Sequence, residues 1–203
     1  MHPIHNTIRS AAVLMFCAAL LGWGDTWDRI RTTAGSISSV EADFIQEKHM
    51  EILARPLVSK GKLYFQGAGS LRWEYRSPVR SVLLAHGSSI SRYVWKGGER
   101  IKDSGVRLQS MRIVLQEIAL WMKGRFDGNP GFTRELRPGR IIILTPREKS
   151  IADIIQKIEL KLSETPGVIR SVSIYEGGTS YTRIEFRNVK LNAKIPDPLF
   201  REP

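Results

Sequence analysis

The sequence predicts a mainly β protein: an unclosed antiparallel β-barrel, or half-barrel, whose apolar concave face is covered by an amphipathic helical lid. Three observations predict it. Apolar and charged residues alternate with period two over much of the chain after residue 39, Gly- and Pro-rich turns recur at short regular spacing, and one stretch alone, residues 106–123, switches to helical periodicity. The composition agrees with one ordinary domain. With 203 residues, 31 Lys+Arg against 20 Asp+Glu, one cysteine and 42% hydrophobic residues, the chain is not a disordered tail, a collagen-like repeat or a disulfide-stapled miniature fold.

Taken in order, residues 25–33 predict a short helix with Trp27 and Ile30 on one face and an acid at its positive end, stopped by Gly35. Val40, Ala42, Phe44 and Gln46 then alternate with Glu41, Asp43 and Glu47, which makes a strand with one apolar and one charged face. Leu63 and Phe65 alternate with Lys62, Tyr64 and Gln66, and Leu71, Trp73 and Tyr75 with Arg72, Glu74 and Arg76; residues 66–70 form a Gly-rich hairpin turn between them. Further strands are expected at 81–85, 89–95, 131–137, 140–145, 155–163, 168–175 and 180–190. In the helical stretch Leu108, Met111, Leu115, Ile118 and Met122 recur at steps of three and four, Val114 and Trp121 widen the stripe, and Gly124 is a natural stop. A lone amphipathic helix among strands must lay that stripe on the concave face of the sheet.

The first residues bear on compartment. Met1 to Arg9 is polar with one cation, residues 11–21 are unbroken apolar, and Gly22, Trp23 and Gly24 precede Asp25. This is the layout of a secretory signal peptide cleaved after Gly24, and eleven apolar residues are too few to span a bilayer, which takes ~20. Cys17 follows Phe16 inside the apolar run, so it is not read as a lipidation site. The expected organisation is therefore a cleaved signal at 1–24 and a single domain at 25–203. Cleavage removes Arg9 and no acid, so the charge of +11 becomes 30 cations against 20 acids, or +10, on a chain without cysteine. An exported cationic protein rarely meets nucleic acid; anionic headgroups or acidic protein surfaces are its expected electrostatic partners.

Signs of catalysis are missing. His49 and His86, the two histidines after residue 24, lie at no metal-ligand spacing from another His, Cys or carboxylate, so no metal and no cofactor are expected. No nucleophile elbow, phosphate-binding loop or dinucleotide fingerprint is present. His86-Gly87-Ser88-Ser89 offers a superficial base and nucleophile, but neighbouring hairpin residues point apart and no orienting acid follows.

Phe44-Ile45-Gln46-Glu47-Lys48, the run from Ser59 to Phe65, and Leu71-Arg72-Trp73-Glu74-Tyr75 followed by Pro78 resemble the outer-membrane lipoprotein carrier protein family. Leu144-Thr145-Pro146, Phe186-Arg187-Asn188-Val189 with Asn192, and Leu199-Phe200 extend the resemblance over roughly residues 25–200. It implies an unclosed barrel capped by helices, a periplasmic monomer, and acyl chains of lipoproteins carried in the apolar interior from inner to outer membrane. It also implies a release complex at the inner membrane and an acceptor at the outer. The need is large: an exposed chain of ~16 carbons costs roughly 0.8 kcal/mol per methylene, about 13 kcal/mol in all.

The expected lining is Phe44, Leu63, Phe65, Leu71, Trp73 and Tyr75 from the strands, facing Met111, Leu115, Ile118 and Met122 from the lid, with a filled core as the alternative for each. In proteobacterial members an Arg-Pro hairpin turn tethers the lid; here Gly67 and Ala68 stand at those positions, so Arg72 or Arg76 serves only if its side chain turns toward the lid. The chain ends soon after Phe200, without the extra C-terminal strand of some carriers. Both departures suggest a divergent relative whose cargo is a lipoprotein, a glycolipid or a polyene-type lipid. A cationic envelope-docking protein that transports nothing, and more distantly a lipid esterase, are the other readings.

Overall fold

The computed structural model describes residues 26–67, 69–87, 89–103, 117–118, 120–126 and 130–203. The proposed signal, Ala68 of the hairpin turn, and most of the lid, including Met111 and Leu115, lie outside them. Eleven strands form one antiparallel sheet: β1 (Ser39–His49), β2 (Leu57–Gln66), β3 (Ser70–Ser77), β4 (Ser81–His86), β5 (Ser89–Lys96), β6 (Glu99–Asp103), β7 (Phe132–Arg137), β8 (Ile141–Pro146), β9 (Lys157–Leu162), β10 (Ile169–Gly177) and β11 (Ser180–Leu191). The strand order is β6-β5-β4-β3-β2-β1-β11-β10-β9-β8-β7. Neighbours in sequence are neighbours in the sheet, except that the first strand pairs with the last and β6 is not paired with β7. The two unpaired edges are therefore consecutive in the chain, and residues 104–131 connect them.

The central seam is built by specific residues. Long strands β1 and β11 pair from Val40↔Leu191 to His49↔Tyr181, with a bulge between Glu41 and Asp43. Asn188 takes φ 52° there and donates from Nδ2 to Asp43 Oδ2 at 2.8 Å. Asn192, φ 57°, accepts from both the backbone N–H and the hydroxyl of Ser38, at 2.7 and 3.0 Å. Asn tolerates this left-handed backbone better than most residues, which explains the choice at both positions. On the outer face Glu41 bridges Lys62 of β2 at 2.7 Å and Lys190 of β11 at 3.6 Å, a staple across three strands.

One face of nearly every strand meets in a shared interior. Ala42, Phe44, Leu63, Phe65, Leu71, Trp73, Leu83, Leu144, Leu160, Val172 and Phe186 belong to one buried cluster. Into it come Ile118, Trp121, Met122 and Phe126 from the chain between the edges. Residues 117–118 and 120–122 are helical, and Gly124, φ 65°, follows them with its N–H on the Trp121 carbonyl at 2.9 Å. The helix α1 (Trp27–Gly35), N-capped by the Thr26 hydroxyl, packs at one end of the barrel. Gly124 and Gly167 are both pressed against it: a Cβ on either would stand 2.5 or 2.7 Å from the Ala34 Cβ. The short helix α2 (Lys149–Ala152) precedes β9.

Several expectations need correction. The strand expected at 155–163 begins at Lys157, because α2 and its following turn occupy the residues before it. Strand β6 has no counterpart in the sequence reading, since its Glu99-Arg100-Ile101-Lys102-Asp103 is mostly charged and exposed. The outer face is not wholly solvated either. A 3₁₀ turn (Asp197–Phe200) packs on β3 and β4, where Phe200, Val82 and Leu84 are buried. Arg72 is buried on that outer face, bonded to Glu74 at 3.0 Å and donating to the Leu199 and Glu202 carbonyls at 3.2 and 2.6 Å. It straps down the C-terminal segment and does not face the lid. Arg76 pairs with the same Glu74 and is largely exposed.

The staple at Glu41 has a pH signature. The Lys62 hydrogen bond, reinforced by Lys190, holds this carboxyl below its ordinary 4.5 against a smaller opposing effect of burial. A lowered folded-state pKa stabilises the protein above pH 4.5, and the contribution is lost as pH falls through the folded value. Glu41→Gln should lower the urea midpoint at pH 7 by the equivalent of about 1 kcal/mol or less. The gap between variant and parent should close as pH falls below that range.

Candidate functional site

The register of the strands divides the barrel into two ends. At one end lie α1, the hairpin turns at Gly67, Gly87 and Gly139, and the β9–β10 turn containing Gly167. At the other end lie the β1–β2 loop, residues 50–56, the β3–β4 turn, residues 78–80, the β5–β6 turn, Gly97 and Gly98, the α2 region before β9, and the β10–β11 turn. The first end is filled. The half of the interior next to the second end holds a cavity of about 160 Å³.

Its wall is assembled strand by strand: Gln46 from β1, Trp73 and Tyr75 from β3, Ser81 and Leu83 from β4, Arg92 from β5, Ile174 from β10, and Thr182 and Ile184 from β11. Ile118 of the covering helix completes it. Phe44 packs on Trp73 at 4.8 Å between ring centroids and edge-on to Tyr75 at 5.2 Å, and Trp73 meets Phe186 edge-on at 6.2 Å. These aromatic contacts make one wall stiff. Gly61 is what lets Phe44 lie flat against β2: a Cβ there would overlap the Glu74 carbonyl and stand 2.5 Å from Phe44 Cζ.

A polar lip sits beside the apolar wall. The Tyr75 hydroxyl donates to Gln46 Oε1 at 2.8 Å, and the Thr182 hydroxyl donates to Glu176 Oε1 at 3.0 Å. Lys48 pairs with Glu176 at 3.1 Å, and Arg92 with Asp103 at 2.8 Å. Burial pushes the Tyr75 phenol above its ordinary 10, and neighbouring Trp73 and Arg92 offset this only in part. The lip is thus an uncharged phenol–amide pair flanked by neutralised ion pairs.

Of the residues singled out by sequence, Trp73, Tyr75 and Ile118 border this cavity. Leu63 and Met122 border a second gap of about 10 Å³, too small for any ligand. Phe44, Phe65 and Leu71 are buried in the packed cluster and do not border the cavity. Met111 and Leu115 lie outside the described residues. Sequence reasoning missed Ser81, Leu83, Arg92, Ile174, Thr182 and Ile184. Gln46 had carried a signal, standing on the apolar face of its strand; the run Ser81 to Ala85 had carried none, because it is buried on both faces.

Of the His86 region, Ser88 lies outside the described residues; among the described ones the His86 ring meets Ser70 and Arg201. His86 Nε2 faces the Arg201 guanidinium at 3.2 Å and Nδ1 faces the Ser70 hydroxyl at 2.9 Å. A guanidinium only donates, so Nε2 accepts, and a neutral ring then carries its proton on Nδ1, directed at Ser70. In that tautomer it cannot remove the Ser70 proton. His49 stacks on Tyr181 at 4.2 Å beside Glu47. Among the described residues no group of three His, Cys, Asp or Glu is placed to hold a metal ion, and no helix is long and apolar enough to cross a membrane.

The sequence model described as outer membrane lipoprotein carrier protein LolA matches residues 35–202. No curated protein sequence matches the chain. Among solved structures, a DUF1329 family protein from Desulfovibrio piger is similar in fold at 10% identity and a TM-score of 0.50, over 87% of this chain and 95% of that one. A LolA superfamily protein from Nitrosomonas europaea is 14% identical with a TM-score of 0.45, over 87% and 98%. The lipoprotein LppX of Mycobacterium tuberculosis is 13% identical with a TM-score of 0.45, over 84% and 95%.

The buried phenol supplies a test of the site geometry. Tyr75 should titrate above pH 10, and the stability it contributes should be intact below pH 10 and lost as pH rises through its folded value. Tyr75→Phe should remove one late-titrating phenol from the ultraviolet difference spectrum. It should also cost about 1 kcal/mol by urea unfolding at pH 7, because Gln46 Oε1 loses its donor.

Proposed function

The chain belongs to the outer membrane lipoprotein carrier protein LolA family, and from that premise we propose that it is a periplasmic carrier that shields the acyl chains of lipoproteins during transfer from inner to outer membrane. Residues 1–24 direct export and are removed, and residues 25–203 are the working domain. The observation that carries this reading is the cavity beneath Ile118, walled by Trp73, Leu83, Ile174 and Ile184.

Its size explains how it works. A cavity of about 150 Å³ holds a single benzene ring, whereas drug-sized ligands occupy roughly 300–1,000 Å³. The 160 Å³ described here is too small for an acyl chain. Loading requires the interior to widen, and the topology permits it: β6 and β7 are not hydrogen-bonded to each other, so the edges can separate without breaking a ladder bond. The covering helix, which buries Ile118, Trp121 and Met122 against the sheet, yields its contacts to the incoming chain. Because its residues already pack on apolar partners, an acyl chain gains only the difference, which keeps the cargo releasable. The lid is retained without the hairpin arginine of proteobacterial members, through Gly124 seated on α1 and the buried Ile118, Trp121 and Met122. The work is binding and release, with no covalent step.

Gln46, Arg92 and Thr182 beside the apolar wall favour, as a second reading, a polar-headed lipid such as a glycolipid as cargo at the same site.

Mass spectrometry of the protein purified from native membrane-bearing cells should find acylated cargo at near one-to-one occupancy, and a lipid without protein would select the second reading. Leu83→Trp, which directs an indole into the cavity, should weaken binding of a fluorescent fatty acid such as cis-parinaric acid by roughly tenfold or more, about 1.4 kcal/mol, with unchanged circular dichroism. A parent protein that stays empty when offered acylated peptide would refute the carrier reading.

A further inference from the structure

The large apolar side chains that are exposed are not scattered. Among the described residues they are Ile52, Leu53, Leu57, Val58, Val79, Ile101 and Ile154. Tracing the register places every one at the same end of the barrel. Ile52 and Leu53 are in the β1–β2 loop, and Leu57 and Val58 open β2, opposite Lys48 and Glu47 of the same strand end. Val79 is in the β3–β4 turn beyond the Lys60↔Ser77 pair. Ile101 is two residues into β6, opposite Val94, and Ile154 follows α2 just before Lys157, which pairs with Tyr175. This is the end nearest the cavity. The opposite end carries none of them. Chance exposure of single apolar residues is ordinary; seven confined to one rim are a patch.

What lies between them defines the partner. Arg80 stacks on Trp95 at 4.2 Å, Arg100 on Tyr93 at 5.6 Å, and Lys157 on Tyr175 at 4.3 Å, all at the same end of their strands. Exposed Arg55 and Lys60 stand among the apolar tips. Projecting aliphatic tips, a belt of Trp and Tyr behind them, and cations laid over those rings form the sequence of layers that suits a bilayer interface, where acyl chains, glycerol region and anionic headgroups succeed one another. The tips are 84% exposed at Ile52, 57% at Val79 and 66% at Ile154, on separate loops around a mouth, so each can enter a lipid interface independently.

We propose that this rim is a docking surface for an anionic lipid bilayer, into whose interface the tips at Ile52, Leu53, Val79 and Ile154 insert, setting the cavity mouth against the membrane. Docking itself stands on the rim alone; only its use in passing acyl chains directly between membrane and cavity rests on the carrier reading.

Flotation of the full chain with vesicles of phosphatidylethanolamine and phosphatidylglycerol tests it. The parent protein should float with these vesicles, less with phosphatidylcholine alone, and less as salt shortens the Debye length below its roughly 8 Å at physiological strength. The double variant Ile52→Asp with Leu53→Asp should lose roughly tenfold or more of that association, about 1.4 kcal/mol. It should keep parent-like circular dichroism and bind cis-parinaric acid as before, so failure of docking is distinct from failure of the cavity. Thr165→Asp, at the opposite end, should float like the parent. An Ile52→Trp reporter should shift its fluorescence to the blue on vesicle addition. A parent that does not float, or a double variant that floats equally well, overturns the proposal. A concentration-dependent dimer that the double variant loses would reassign the rim to a second copy and overturn it as well.

Discussion

The pairing of the first strand with the last is the interaction on which the rest of this structure depends. β1 and β11 are the two longest strands and stand at the centre of the sheet, joined from Val40↔Leu191 to His49↔Tyr181. Bringing together segments about 150 residues apart is entropically costly and is expected to come late in folding. Once made, it decides everything else. It turns two meanders into one sheet and pushes β6 and β7 to the edges, and from the chain between those edges Ile118, Trp121, Met122 and Phe126 enter the shared interior.

How the interior could serve a carrier follows from what is not closed. A closed eight-stranded barrel fills its own interior with side chains. In this protein the end beside α1 is filled in that way, by Ile30 and Ala34 against Gly124 and Gly167. The other half keeps a space and a polar lip of Tyr75, Gln46 and Thr182. One end is thus committed to stability and the other left adaptable, on the same strands and within a few residues of one another.

Much of this was legible in the sequence. Period-two alternation, together with the spacing of Gly- and Pro-rich turns, located ten of the strands, and the helical stripe identified an element distinct from them. The residues that carried the family resemblance prove to be chiefly architectural: Asn188 and Asn192 hold the bulge and the end of the β1–β11 seam, and Arg72 and Glu74 tie the C-terminal turn to β3. What was not legible depended on contacts distant in sequence. The unbroken run Ser81 to Ala85 showed no preferred face because the 3₁₀ turn, more than a hundred residues on, covers its outer side. Nothing local to Arg92 tells that it borders the cavity. Division of the aromatic face into packed core and cavity wall, Phe44 on one side and Tyr75 on the other, is decided by which end of the barrel each occupies.

An open sheet of this kind carries a cost in the crowded periplasm proposed for it. Among the described residues no further strand pairs with the outer side of β6 or β7; such an edge is a template for another chain to add a strand, and the failure that follows is polymerisation rather than unfolding. Both edges are armed against it. β6 reads Glu99-Arg100-Ile101-Lys102-Asp103, and β7 carries Arg134, Glu135 and Arg137, with the last two paired to each other at 2.9 Å. A strand arriving on either side must bury or match those charges before it gains a single ladder bond. The same charges that hid β6 from sequence inspection guard an unclosed sheet against seeding fibres.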